Sequence, residues 1–167
     1  MEQELQSGIE PKTVKLISSD NVEKEVDPTI LKKSKLLENC DEGGVIHLKE
    51  VDNKNLELII KYLEHYKNME PKEIPKPFPE KTDDEFFRGI LNDDWTFDFL
   101  KNISLEDTIN LVNAANFMQI DGLTNLLAAK IAHEMCNCEL EEARNKFGVQ
   151  ADLTEEEIAE IDKYPLD

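Results

Sequence analysis

The sequence predicts an α+β fold, a short sheet with its first helices followed by an almost wholly helical part. Three observations carry that expectation. Near the start, Val14, Leu16 and Ser18 alternate with Lys15, Ile17 and Ser19, the period of a strand. From about residue 83 onward apolar residues recur at the spacing of a helix instead. Between the two stretches Pro71, Pro75, Pro77 and Pro79 fall within nine residues, which stops both a helix and a sheet ladder.

The elements follow in order. Ser19-Asp20-Asn21 has turn chemistry and joins the first strand to Val22–Val26, so residues 13–26 read as a β-hairpin. Asp27-Pro28 is a helix start, because Asp accepts from free amides and Pro fits the first turn. Ile30, Leu31, Leu36 and Leu37 supply the apolar contacts of one or two short helices. Asp41-Glu-Gly-Gly44 breaks the chain, and Val45-Ile-His-Leu48 reads as a third strand. Asp52 caps a helix whose apolar face is Leu56, Ile59, Ile60 and Leu63. Beyond the proline-rich stretch, Asp94-Trp95-Thr-Phe97-Asp-Phe99-Leu100 precedes Ser104, an N-cap. In the helix from Ser104, Leu105, Ile109 and Val112 share one face, and Leu111, Ala115 and Met118 share another. After Asp121-Gly122 a helix carries Leu123, Leu126, Leu127, Ile131 and Met135. Leu140, Ala143 and Phe147 mark a short helix ended by Gly148, and Thr154-Glu-Glu-Glu157 is a capping box opening an acidic helix with Ile158 and Ile161. The expected divisions are a disordered tail at 1–12, a mixed part at 13–66, a linker or loop at 67–82, helices at 83–136 and final helices at 137–167. Two helices apolar on more than one stripe imply central burial or a face that awaits a partner.

Composition narrows the function classes. The 167 residues hold 37 acidic and 19 basic side chains, a net charge of −18 that disfavours nucleic acid and anionic membrane surfaces alike. The densest basic cluster is Lys32, Lys33 and Lys35. Three cysteines, Cys40, Cys136 and Cys138, suit a reducing compartment better than a disulfide framework. No apolar run approaches a membrane span, and the N-terminus lacks signal-peptide character, so cytoplasm and nucleus are the expected locations.

Catalytic and metal-binding patterns are sparse. There is no Gly-x-Gly-x-x-Gly, phosphate loop or Gly-x-Ser-x-Gly elbow. His133, Cys136 and Cys138 have ligand chemistry, but Cys-x-Cys is not the usual zinc spacing and a fourth ligand is missing. Cys40 with His47 is a conceivable nucleophile pair. Asp83-Asp84 and Asp93-Asp94 lack the spacing of a calcium loop. Trp95, Phe97 and Phe99 read as a packing anchor. No metal and no cofactor is implied.

The stretch Leu111-Val-Asn-Ala-Ala-Asn-Phe-Met-Gln-Ile-Asp-Gly-Leu-Thr-Asn-Leu127 resembles the core signature of the Skp family, the adaptor subunits of SCF ubiquitin ligases. Four further matches run in register: Val14–Asp20 with Glu25–Asp27, Asp94-Trp95 with Phe99-Leu100, Glu141–Phe147, and Asp152–Glu157. The resemblance covers about residues 13–162 and implies a BTB/POZ-type domain followed by a C-terminal two-helix extension. It implies a non-catalytic adaptor linking F-box substrate receptors to a cullin in ubiquitin-dependent degradation. Asn116 and Phe117 occupy the family's Asn-Tyr position and are the expected cullin contacts; Phe for Tyr loses a hydroxyl donor. The expected F-box face is Ile109, Leu123, Leu127, Ile131, Met135, Phe147, Leu153 and Ile158. A groove open to a receptor helix implies self-association as a homodimer, or a mobile final helix, when the protein is free.

Some positions depart from the family. Leu140 replaces a proline, and the family's closing tryptophan segment is unmatched, leaving Ile161 and Tyr164 as substitutes. The segment 83–94 is longer than usual, and Phe86, Phe87, Ile90 and Leu91 within it predict an extra short helix. Three other readings remain open: an elongin-type BTB adaptor, an acidic scaffold acting by charge, and a hydrolase using Cys40 or a carboxylate pair.

Overall fold

The structure, a computed structural model, describes residues 13–38, 44–78, 83–148 and 154. Strands β1 (Val14–Ile17) and β2 (Glu23–Val26) pair antiparallel, with Val14 opposite Val26 and Ile17 opposite Glu23. Their turn is closed by the Ser18 hydroxyl, which donates to the Val22 carbonyl at 3.2 Å and accepts from its N–H at 3.1 Å. Asn21 takes the left-handed conformation there. Strand β3 (Val45–His47) pairs parallel to β1, so β1 is central in a three-stranded mixed sheet of order β2-β1-β3. A parallel pair needs a crossover, and the chain from β2 to β3 supplies it, beginning with helix α1 (Pro28–Leu31). Val14 and Leu16 are fully buried on one face of β1.

Side-chain caps start most of the helices. Asp27 accepts from Thr29 N–H at 2.8 Å to open α1, and Asp52 accepts from Asn55 N–H at 2.7 Å to open α2 (Asn53–His65). Residues 32–38 form turns, not a second short helix, although Leu37 still reaches the core. On α2, Leu56, Ile59, Tyr62 and Leu63 are buried, and each fully buried aliphatic side chain stabilises by about 1.5–3 kcal/mol. Residues 67–78 form neither helix nor strand.

The extra helix anticipated within 83–94 is α3 (Asp84–Leu91), capped by Asp83, with Phe87 and Leu91 inward and Phe86 exposed. Helices α4 (Asp94–Lys101), α5 (Leu105–Phe117), α6 (Asp121–Cys136) and α7 (Leu140–Phe147) complete the fold. Gly148, at φ 66°, ends α7 in the left-handed conformation that costs glycine nothing. The capping-box helix expected from Thr154 lies, apart from Thr154 itself, outside the described residues. One core cluster joins β1, α2, α5 and α6, with Leu111, Ala115, Met118, Leu123 and Leu127 at its centre. Among the described residues, no helix is long and apolar enough to cross a membrane.

Candidate protein-interaction site

Helices α5 and α6 pack against each other and hold most of the residues singled out by the sequence. Ser104 caps α5 by accepting from Asp107 N–H at 3.1 Å. Lys54 and Ser104 together hold the Asp107 carboxyl below the usual carboxylate range. Of the two stripes on α5, Leu111, Ala115 and Met118 face the core together with Thr108 and Ala114. The other faces outward: Ile109 is 37% exposed, and Leu105 and Val112 are half-buried.

Asn116 and Phe117 sit side by side at the end of α5, both exposed. Their corner is anchored from behind. The Ser34 hydroxyl donates to the Met118 carbonyl at 2.5 Å, and Lys35 N–H donates to the Gln119 carbonyl at 3.4 Å. Gln119 takes the left-handed conformation, which turns the chain sharply into α6.

On α6 the expected face is divided. Ile131 is half-buried and Met135 is 49% exposed, so both are presented to the surface. Leu123 and Leu127 are not: both are fully buried in the core between α6 and its neighbours. The helix is apolar nearly all round, so its spacing alone does not say which stripe turns inward. Phe147 is half-buried on α7, which is tied to α6 by Lys146 Nζ donating to Glu134 at 2.5 Å. That bond holds the Lys146 ammonium above its ordinary range. Leu153 and Ile158 lie outside the described residues.

Two features went unread in the sequence. Lys130, amid the apolar residues of α6, is buried and donates to the carbonyls of Leu100, at 2.5 Å, and Ile103, which staples α6 to the end of α4. Burial pushes its ammonium pKa down. Beside it lies a cavity of about 320 Å³ walled by Phe87, Phe97, Leu105, Lys130, His133 and Lys146. A lone Lys in an apolar window was the only signal for either.

Conceivable chemistry elsewhere is accounted for by packing. His133 stacks on Phe87 with ring centres 4.5 Å apart and sets Nε2 3.3 Å from Asp84. Cys138 Sγ donates to the Glu134 carbonyl at 2.9 Å. Among the described residues no group of three His, Cys, Asp or Glu side chains is placed to hold a metal. Cys40 lies outside the described residues, so its pairing with His47 has no geometry here.

A small mixed sheet backed by helices, with exposed apolar side chains on a helical pair, is the BTB/POZ-type α+β fold that the motifs implied. Comparison with known families makes this specific. Residues 12–68 match the Skp1 family tetramerisation domain and residues 121–164 match the Skp1 family dimerisation domain. The S-phase kinase-associated protein 1 homolog of Tetrahymena thermophila is 34% identical over 152 residues, covering 89% of either chain. SKP1-like protein 18 of Arabidopsis thaliana is 30% identical, covering 89% of this chain and 90% of its own. Suppressor of kinetochore protein 1 of Schizosaccharomyces pombe is 29% identical, with 90% and 93% covered. The chain belongs to the Skp1 family, the adaptor family its motifs resemble.

Proposed function

We propose that the chain is a non-catalytic adaptor that bridges an F-box substrate receptor to a cullin scaffold in an SCF ubiquitin ligase. The observation that carries this reading is the second, outward apolar stripe on the helix pair, with Ile109 at 37% and Met135 at 49% exposure. A receptor helix laid against it buries surface that the fold leaves in water. Asn116 and Phe117, at the far end of α5, form the cullin contact. In this division the POZ-type part, residues 13–66 with 83–136, carries the cullin side, and residues 137–167 complete the receptor side. When no receptor is bound, the stripe favours a homodimer. The cytoplasm and nucleus are the compartments where such a bridge works.

The test is a calorimetric titration of the full chain against an F-box peptide and, separately, a cullin N-terminal domain, at low and high salt. Ile109→Asp with Met135→Asp abolishes receptor binding and spares cullin binding; Asn116→Lys with Phe117→Lys does the reverse. Apolar burial survives salt, whereas attraction between exposed charges is screened within about 10 Å at 0.1 M. Loss of receptor binding at high salt, or loss of both activities in either variant, refutes the bridge and favours an acidic scaffold.

A further inference from the structure

The buried lysine of α6 leaves a hydrogen-bond donor unspent. Lys130 is 6% exposed, and a lysine goes inside a fold mostly with a carboxylate partner. Here its Nζ donates to two neutral carbonyls, that of Leu100 at 2.5 Å and that of Ile103. An ammonium carries three N–H groups, so one has no acceptor among the described residues. Glu134, one turn further along α6, does not serve it, because that carboxylate accepts from Lys146 Nζ at 2.5 Å. A buried charge with a bond unmade is costly.

The nitrogen sits at the wall of the cavity of about 320 Å³ where α3, α4, α5, α6 and α7 meet. Leu100 and Ile103, whose carbonyls hold it, line that cavity together with Lys130 itself. Phe87, Phe97 and Leu105 supply apolar surface, with the two rings 6.5 Å apart and tilted by 61°. Lys101 adds a second cation. Both carboxylates of the wall are engaged, Glu134 by Lys146 and Asp84 by His133 Nε2 at 3.3 Å. At ~3.6 residues per turn, Lys130, His133 and Glu134 lie on a different face of α6 from Ile131 and Met135. No described residue named for the receptor or the cullin contact lines the cavity.

We propose that this cavity binds a small aromatic carboxylate, whose anion accepts the third N–H of Lys130 and whose ring packs with Phe87 and Phe97. A monoanion balances one buried ammonium, and a hydrogen bond between the two charges is among the stronger ones. A dianionic phosphate brings a second charge that no buried group matches, and burying an unmatched charge is costly. A third ring joins the Phe87–Phe97 pair in the tilted or offset geometries that rings favour. The volume lies at the lower end of the ~300–1,000 Å³ of usual ligand pockets, so the body is about one or two fused rings.

The full chain is titrated calorimetrically with 2-naphthoate, with 2-naphthalenemethanol, which has the same rings and no charge, and with naphthyl phosphate. The carboxylate binds one to one, about tenfold more tightly than the alcohol, the size expected of one hydrogen bond to a charged group. The phosphate binds more weakly than the carboxylate. Lys130→Met keeps the stem and removes the ammonium, so it weakens 2-naphthoate about tenfold and leaves the alcohol unchanged, a split that a purely structural lysine does not produce. Leu105→Trp, at a half-buried position that makes no side-chain hydrogen bond, fills the cavity and abolishes both. Nuclear Overhauser contacts between naphthoate protons and the Phe87 and Phe97 rings place the ligand in the wild-type chain, whatever the variants do to folding. Their absence, equal binding of acid and alcohol, tighter binding of the phosphate, binding that ignores Leu105→Trp, or no saturation below about 10 mM 2-naphthoate overturns the proposal.

Discussion

Removing one carboxylate, that of Asp93, tests how the helical part is fastened to the sheet-bearing part across the proline-rich segment. Asp93 caps α4 by accepting from Trp95 N–H at 3.1 Å. It also accepts from the Tyr66 hydroxyl at 3.1 Å and the Thr96 hydroxyl at 2.5 Å, and it faces His65 Nε2 at 3.1 Å. Asp93→Ala loses the cap, worth about 1 kcal/mol. It also loses bonds from the end of α2, worth about 1.5–3 kcal/mol each when one partner is charged. The carboxylate is 30% exposed, and without it the Tyr66 and Thr96 hydroxyls, whose oxygens lie 2.5 Å apart, bond each other, so the tertiary share is well below that sum. The expected destabilisation is about 2–3 kcal/mol. Urea unfolding followed by Trp95 fluorescence reads it directly, because that ring stacks on His65 at 3.7 Å and on Phe99 at 5.0 Å. The effect has a pH signature. Burial works to raise the Asp93 pKa, but bonds from Thr96, His65 and Tyr66 outweigh it and hold the carboxyl below its ordinary value. A depressed folded-state pKa gives stability that is present above the unfolded value near 4 and lost as pH falls through the folded one. The gap between wild type and Asp93→Ala is therefore full at pH 7 and shrinks below about pH 4. A loss under about 0.5 kcal/mol at pH 7, within the range of ordinary surface substitutions, or a gap unchanged down to pH 3 refutes the fastening.

Two further substitutions separate core from face. Leu127→Ala, at a fully buried position, costs about 2–5 kcal/mol, whereas Met135→Ala, half in water, stays near or below 1 kcal/mol; equal losses in chemical denaturation refute the assignment of stripes. Lys130→Met keeps the stem and removes the donors to Leu100 and Ile103, so it destabilises by about 1–3 kcal/mol, and a variant more stable than wild type shows that burying the ammonium costs more than its bonds return.

Local chemistry was legible where one residue acts on its near neighbours. Asp27, Asp52 and Ser104 were readable as caps, and each makes its bond. The extra helix at 84–91 followed from Phe86, Phe87, Ile90 and Leu91, whereas its cap, Asp83, was found only in the structure. What the sequence withheld was direction and distance. Two stripes on α5 were visible, but spacing could not tell that Leu111 turns inward and Ile109 outward. The apolar surround of α6 hid the same choice, which placed Leu123 and Leu127 on a surface they do not reach. Lys130 reads as a polar interruption until the α4 carbonyls it serves are in place. The parallel pairing of β3 with β1, and the meeting of Phe87, Leu105 and Lys130, depend on chain segments distant in sequence, which no local pattern encodes.

The two ends of the α5–α6 pair are held by forces of different size, and this bears on how a bridge would work. At the Asn116–Phe117 corner, Met118 and Ile120 are buried, Ser34 is fully buried, and its hydroxyl grips the Met118 carbonyl. Distorting that corner opens the core. At the other end, no described side chain of α7 is buried. Among the described residues, Lys146 with Glu134 ties it to α6, and α3 meets the same stretch through His133 with Asp84 and the stacked Phe87 ring. The partly exposed Lys146–Glu134 pair contributes about 0–1 kcal/mol, and a ring pair about 0.5–1.5 kcal/mol. Thermal energy and a modest docking energy suffice to rearrange such contacts. Under the proposed division, the cullin side is preorganised and the receptor side adjusts, so one rigid scaffold contact serves receptors whose helices differ in length and angle.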